Sequence, residues 1–146
     1  MASSVSLTLG NRLDELLRLD ACVRSFGAEH ELPDDLVFQL NVALDEIVTN
    51  VISYAYDDVA DHDVVVRLSV DDQWVSAQVE DDGRAFNPLQ VPRPDLAAGL
   101  DRPGVGGLGV YFVQSMMDSV EYCRRDGRNI LIIARRRRQA LEPQTP

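Results

Sequence analysis

Apolar side chains recur at Leu36, Leu40, Leu44, Ile47, Val48 and Val51, at intervals of three and four residues. That spacing predicts an amphipathic helix, with Pro33 suited to its first turn. A second stripe, Leu13, Leu16, Leu17, Cys22, Val23 and Phe26, predicts a preceding helix, capped by Asn11 and ended by Gly27. Elsewhere the period is two. Val5, Leu7 and Leu9 alternate with Ser6 and Thr8, the pattern of a half-buried strand. "VVVRLSV" (64–70) and "WVSAQVE" (74–80) flank the short Asp71–Gln73 link and read as a hairpin. "SVEYCRR" and "NILIIARR" form a second hairpin across Asp126–Gly127, and Val110, Val113, Met116 and Met117 mark a helix before it.

Residues 57–63, "DDVADHD", are polar and acidic and read as a loop. Residues 84–105 differ in kind: they hold four of the seven prolines and little periodicity, which marks a lid or connection. The order is therefore strand, helix, helix, hairpin, lid, helix, hairpin. Tightly joined strands with helices placed elsewhere predict an α+β layer of helices on a mainly antiparallel sheet. No repeat and no second domain is visible, so the expected unit is one domain over 1–146, with its core at about 5–135.

Composition narrows the partners. Hydrophobic residues make up 45% of the 146, enough for a packed globule. The net charge is −10 and no lysine is present, which argues against direct nucleic-acid binding. The Arg135–Arg138 run reads as a solvated strand end blunting a sheet edge. Cys22 and Cys123 match no metal spacing and read as small buried hydrophobes. His30 and His62 sit in polar, loop-like surroundings and are expected at the surface. No secretory leader pattern opens the sequence and no apolar run reaches bilayer length, so a soluble cytoplasmic protein, not bound to membrane, is expected.

Three places carry candidate chemistry. Glu46 and Asn50 lie one turn apart within "VALDEIVTNVISYAY", off the apolar stripe. An exposed polar edge explains such a pair by itself; the alternative is a group that orients a nucleophile beside an amide oxygen suited to Mg²⁺. In "VEDDGRAF", Asp81-Asp82-Gly83 ends a strand. It is either a plain turn or a fixed carboxylate that accepts from an exocyclic amino group, with Gly83 allowing close approach. "GVGGLG" (104–109) holds four of the nine glycines directly before a helix, where backbone N–H groups and the helix dipole favour anions. It lacks the Lys-Ser/Thr ending of a P-loop, and it follows a proline-rich segment rather than the first strand of a Rossmann unit.

Glu-x-x-x-Asn on a helix, Asp-x-Gly at a strand end, a long lid and a glycine-rich helix start, in that order, resemble the ATP-binding domain shared by gyrases and sensor histidine kinases. "LDEIVTNVISYAY", "DDGRAFNP" and "GGLGVYFVQSMMDSVEYCRRDGRNILII" are similar to the anti-sigma-factor serine/threonine-protein kinase branch, over nearly the whole span from Val5 to Arg135. The resemblance implies the histidine-kinase-like ATPase fold, a two-layer sandwich of helices on a mainly antiparallel mixed sheet. It implies ATP and Mg²⁺ as cofactors: Asn50 on the metal, Glu46 as the base toward the attacking hydroxyl, Asp81 with Gly83 on the adenine. Gly106, Gly107, Leu108 and Gly109 would wrap the phosphates under the 84–105 lid. The implied partners are a sigma factor, held inactive, and an antagonist phosphorylated on Ser or Thr; family members are often dimers, which leaves a homodimer open. Ala85 stands where related proteins often have Gly or Pro, and only Arg84, Arg93 and Arg102 supply positive charge near the lid. That shortage leaves a second function open, a nucleotide-gated binding module with little or no turnover. Nothing upstream resembles the helix pair that carries a phosphoacceptor histidine, so a sensor histidine kinase is not expected.

Overall fold

The computed structural model describes residues 2–58, 60–88 and 108–137. The chain runs β1 (Ser3–Gly10), a 3-10 turn (Leu13–Glu15), α1 (Leu16–Glu29), α2 (Asp34–Tyr54), β2 (Asp63–Val70), β3 (Trp74–Asp81), α3 (Leu108–Met116), β4 (Ser119–Arg125) and β5 (Arg128–Arg136). The five strands form one sheet in the order β1-β2-β3-β5-β4. Every pairing is antiparallel. The α+β arrangement expected from the patterning is the one found, with helices on one face of the sheet.

Alternation fixes the register. Val64, Val66, Leu68 and Val70 of β2 point inward, as do Val75, Ala77, Val79 and Asp81 of β3 and Asn129, Leu131 and Ile133 of β5. A slip of one residue would turn each of these sets to the other face. The helical stripe answers them: Leu36, Leu40, Ala43, Leu44, Ile47 and Val48 are all buried. α2 lies between α1 and α3 and contacts both. By length and composition alone α2 would pass as a membrane span, with mean hydropathy 1.3 over its apolar window, contrary to the reading that no run is long enough. Here it is the core helix, and its stripe is covered by the sheet.

Several local expectations change. Asn11 caps no helix: its Oδ1 accepts from His62 N at 3.1 Å and its Nδ2 donates to Ala60 O at 3.3 Å, tying β1 to the entry of β2. Gly27 lies inside α1 and does not end it; a Cβ there would sit 2.5 Å from Val37 Cγ2, so the glycine lets α1 and α2 approach. The chain reverses at Glu31, with φ 55°. β5 is interior to the sheet, so its arginines blunt no edge. Arg136 stacks over Trp74, and Arg137 donates to His30 O at 2.7 Å and Asp71 O at 3.0 Å. Both histidines are half-buried: His30 packs its ring on Phe26, and His62 stacks on Tyr56 and meets Asp58 at 2.7 Å. Cys22 is half-buried, whereas Cys123, on the edge strand β4, is exposed.

Candidate nucleotide site

The cavity opens where α2, β3, β5 and α3 meet. It encloses about 590 Å³, counting space continuous with solvent, within the range of small-molecule sites. Its walls are mostly apolar, with Ile47 and Val51 from α2, Val79 from β3 and Leu131 from β5. Val113 of α3, Val120 of β4, Phe86 and Pro88 add to them. Into these walls are set Asn50, Asp81, Tyr122 and Asn129. An apolar slot with a few convergent polar groups suits a flat heterocycle that needs orienting.

Asp81 is 3% exposed. Among the described residues both hydrogen bonds it accepts fall on Oδ1, from Gly83 N at 2.9 Å and Asn129 Nδ2 at 3.0 Å. Oδ2 accepts none among the described residues, which leaves a fixed acceptor facing a cavity that Asp81 lines. A buried carboxylate in that position matches an amino-group donor on a ligand.

Gly83 also meets a constraint within the fold itself. A Cβ on it would meet both the Cβ and the carbonyl oxygen of Ala55 at 2.5 Å. The loop after β3 therefore lies directly on the C-terminal end of α2. Arg84 N donates to Ala55 O at 2.9 Å, Arg84 Nε to Tyr54 O at 2.7 Å, and Arg124 Nη1 to Gly83 O at 2.8 Å. Beside it, Tyr56 donates to Asp82 Oδ1 at 3.0 Å. Burial, then this acidic neighbour, pushes the Tyr56 phenol above its ordinary range.

Asn50 is half-buried on α2 and lines the same cavity as Asp81. Its amide offers the hard oxygen donor that Mg²⁺ takes alongside phosphate and water. Among the described residues no group of three or more His, Cys, Asp or Glu side chains is arranged to hold a metal ion, so a metal here would rely mainly on ligands that a triphosphate brings. The residues present fit that mode. Glu46 sits one turn earlier, half-buried, and is not among the residues lining the cavity. Leu108 and Gly109 open α3. Gly106, Gly107 and the lid from residue 89 onward lie outside the described residues.

Asn129 escaped the sequence reading although it lies in the cavity wall, 5% exposed. The signal was present: it shares the inward parity of Leu131 and Ile133, so a polar side chain occupies a core-facing strand position.

The profile of the histidine kinase-like ATPase domain matches residues 10–135. The chain belongs to that family. Several relatives carry kinase names, among them the two that follow. The serine/threonine-protein kinase BtrW of Bordetella bronchiseptica is 33% identical over 100 residues, covering 67% of this chain and 69% of its own. The serine-protein kinase RsbW of Bacillus pumilus is 31% identical over 118 residues, covering 76% and 70%. Among solved structures, the RsbU and RsbW domains of Rv1364c from Mycobacterium tuberculosis match with TM-score 0.67 at 18% identity. That match covers 92% of this chain and 32% of the other. The fold expected from the motif order is thus the fold of the family, and the cavity lies in a kinase-like ATPase domain.

Proposed function

We propose that this chain is an ATP-dependent protein serine/threonine kinase of the partner-switching kind, binding Mg-ATP, holding a sigma factor inactive and phosphorylating that factor's antagonist. The observation that carries the reading is the meeting of Asn50 from α2 and Asp81 from β3 in one apolar cavity. In this reading Asp81 accepts from the adenine amino group. The Asn50 amide oxygen would hold Mg²⁺, which would supply charge neutralisation at the phosphates. Glu46, one turn back on the same helix, orients the attacking hydroxyl of the antagonist. Such a transfer depends mainly on positioning and charge neutralisation. The kinase names of the relatives support it, as does the family to which the chain belongs.

Calorimetric titration with Mg-ATP and phosphorylation of a purified antagonist with radiolabelled ATP test it together. Asp81→Asn is expected to weaken ATP binding by about tenfold to a hundredfold, the effect of losing a hydrogen bond to a charged group. Glu46→Ala is expected to keep binding and abolish transfer. Absence of nucleotide binding at millimolar concentration would sink the proposal.

One observation favours a second reading, a nucleotide-gated binding module without appreciable turnover: Glu46 is not among the cavity-lining residues. It predicts tight ATP binding and nucleotide-dependent capture of the sigma factor with no phosphorylated antagonist, whether or not Glu46 is present.

A further inference from the structure

Five hydrogen bonds converge on the Asn129 side chain. Its Nδ2 donates to Asp81 Oδ1 at 3.0 Å and to Arg84 O at 2.8 Å. Its Oδ1 accepts from Phe86 N at 3.3 Å, from Arg124 Nη1 at 3.1 Å and from the Tyr122 hydroxyl. The amide orientation is fixed by chemistry. The two groups facing the nitrogen only accept, and the Phe86 and Arg124 nitrogens facing the oxygen only donate, so the reversed amide would oppose like groups at every one of these. One buried side chain thus ties the carboxylate at the end of β3 to the backbone at Arg84 and Phe86.

We propose that Asn129 is a positioning residue that sets the cavity's preference for a ring bearing an exocyclic amino group. The proposal rests on the cavity being a nucleotide site. By donating to Asp81 Oδ1, together with Gly83 N, it leaves Oδ2 as the acceptor available to a ligand. By gripping Arg84 and Phe86 it also holds Phe86, a wall of the cavity, in register with that carboxylate. Base selection and the course of the 84–86 backbone therefore depend on the same amide. Among the described residues Asn129 is the one side-chain donor to Asp81; the other donor is the Gly83 N–H, part of the turn itself.

The discriminating variant is Asn129→Asp. It has the same shape and keeps an oxygen for Phe86, Tyr122 and Arg124, but it removes the donor and sets a second carboxyl against Asp81. Two probes are titrated by calorimetry, ATP and purine riboside triphosphate, which lacks only the 6-amino group. Wild type is expected to prefer ATP by about tenfold or more, and the variant to lose most of that preference. A merely structural role would lower both affinities alike and leave their ratio intact. Asn129→Ser, which adds no charge, is the second variant should the first fail to fold. It is expected to reduce the ratio and, in the ligand-free protein, to speed hydrogen exchange of the Phe86 amide. If wild type binds ATP with the stated preference and a folded Asn129 variant keeps it, with Phe86 exchange unchanged, the positioning role is overturned while the nucleotide reading stands. If wild type binds neither probe, both fall.

Discussion

Asp45 on α2 and Asp20 on α1 present their carboxyls to one another across the interhelical crevice, close enough to hydrogen-bond. The Oδ1 atom of each is buried without a donor. Burial first, then the hydrogen bond and the charge of Asp20, push Asp45 from 3.8 up to about 7. In the unfolded chain the carboxyl returns to its ordinary value, so between these limits the folded state holds a proton that the unfolded state has released. The stabilising contribution is fully present below pH 3.8 and is lost as pH rises through about 7. At full coupling that interval corresponds to about 4 kcal/mol; because the crevice is only half-buried, solvent screening reduces it to about 1–2 kcal/mol. Asp45→Asn replaces the shared proton by an amide that can donate to Asp20 at any pH. Urea denaturation followed by circular dichroism, at unit steps from pH 5 to pH 8, isolates the effect as a difference between variant and wild type. The variant should be more stable by about 1–2 kcal/mol at pH 8, with the gap closing toward pH 5. Glu15, Asp58 and Asp71 are shifted the other way, held low by backbone and side-chain donors, and contribute equally to both proteins. A pH-independent gap, or a variant less stable at pH 8, would refute the shared proton.

Gly83→Ala should cost about 1–3 kcal/mol, because the new methyl must displace Ala55 at the end of α2, and ATP affinity should fall with it; urea midpoints and calorimetry check both. The two thiols should separate in reaction with a chromogenic disulfide. Cys123 is exposed and reacts at once, whereas burial pushes the half-buried Cys22 thiol up and slows it, so a single fast phase of two thiols would contradict the packing of α1.

The elements were legible because each is written in a local period. Leu36 to Val51 announce α2, and the parities of Val64–Val70 and Trp74–Glu80 announce a hairpin one face of which is core. What failed was local chemistry overruled by distant partners. Asn11 has a capping side chain, but its bonds reach His62 and Ala60, about fifty residues on. Gly27 has the form of a helix stop, but its missing Cβ is used by Val37, and the reversal falls on Glu31. The site divides the same way. Asn50 and Asp81 belonged to motifs whose order could be matched to a family, and the fold brings them to one cavity. Asn129 stands in no motif, and only its inward parity beside Leu131 and Ile133 marked it. Asp20 and Asp45 each look like ordinary polar helix positions, since the sequence does not state which faces of α1 and α2 meet.

α2 therefore serves three surroundings at once. Its stripe packs on the sheet, its Asn50 edge faces the cavity, and its Asp45 edge faces α1. Asp45 and Asn50 are five residues apart, which at about 100° per residue separates them by about 140° around the helix axis. Protonation of Asp45 thus acts on the α1 contact, on the far side of a core-packed helix from the nucleotide cavity. The interior between them is close-packed by Leu44, Val48 and Ile47, at 0%, 0% and 5% exposure, and a rigid helix of this kind moves as a body or not at all. Removing the carboxyl pair should accordingly change stability with pH while leaving ATP affinity the same at pH 6 and pH 8. A pH-dependent ATP affinity that Asp45→Asn abolishes would mean instead that α2 shifts when the pair ionises, carrying Asn50 with it.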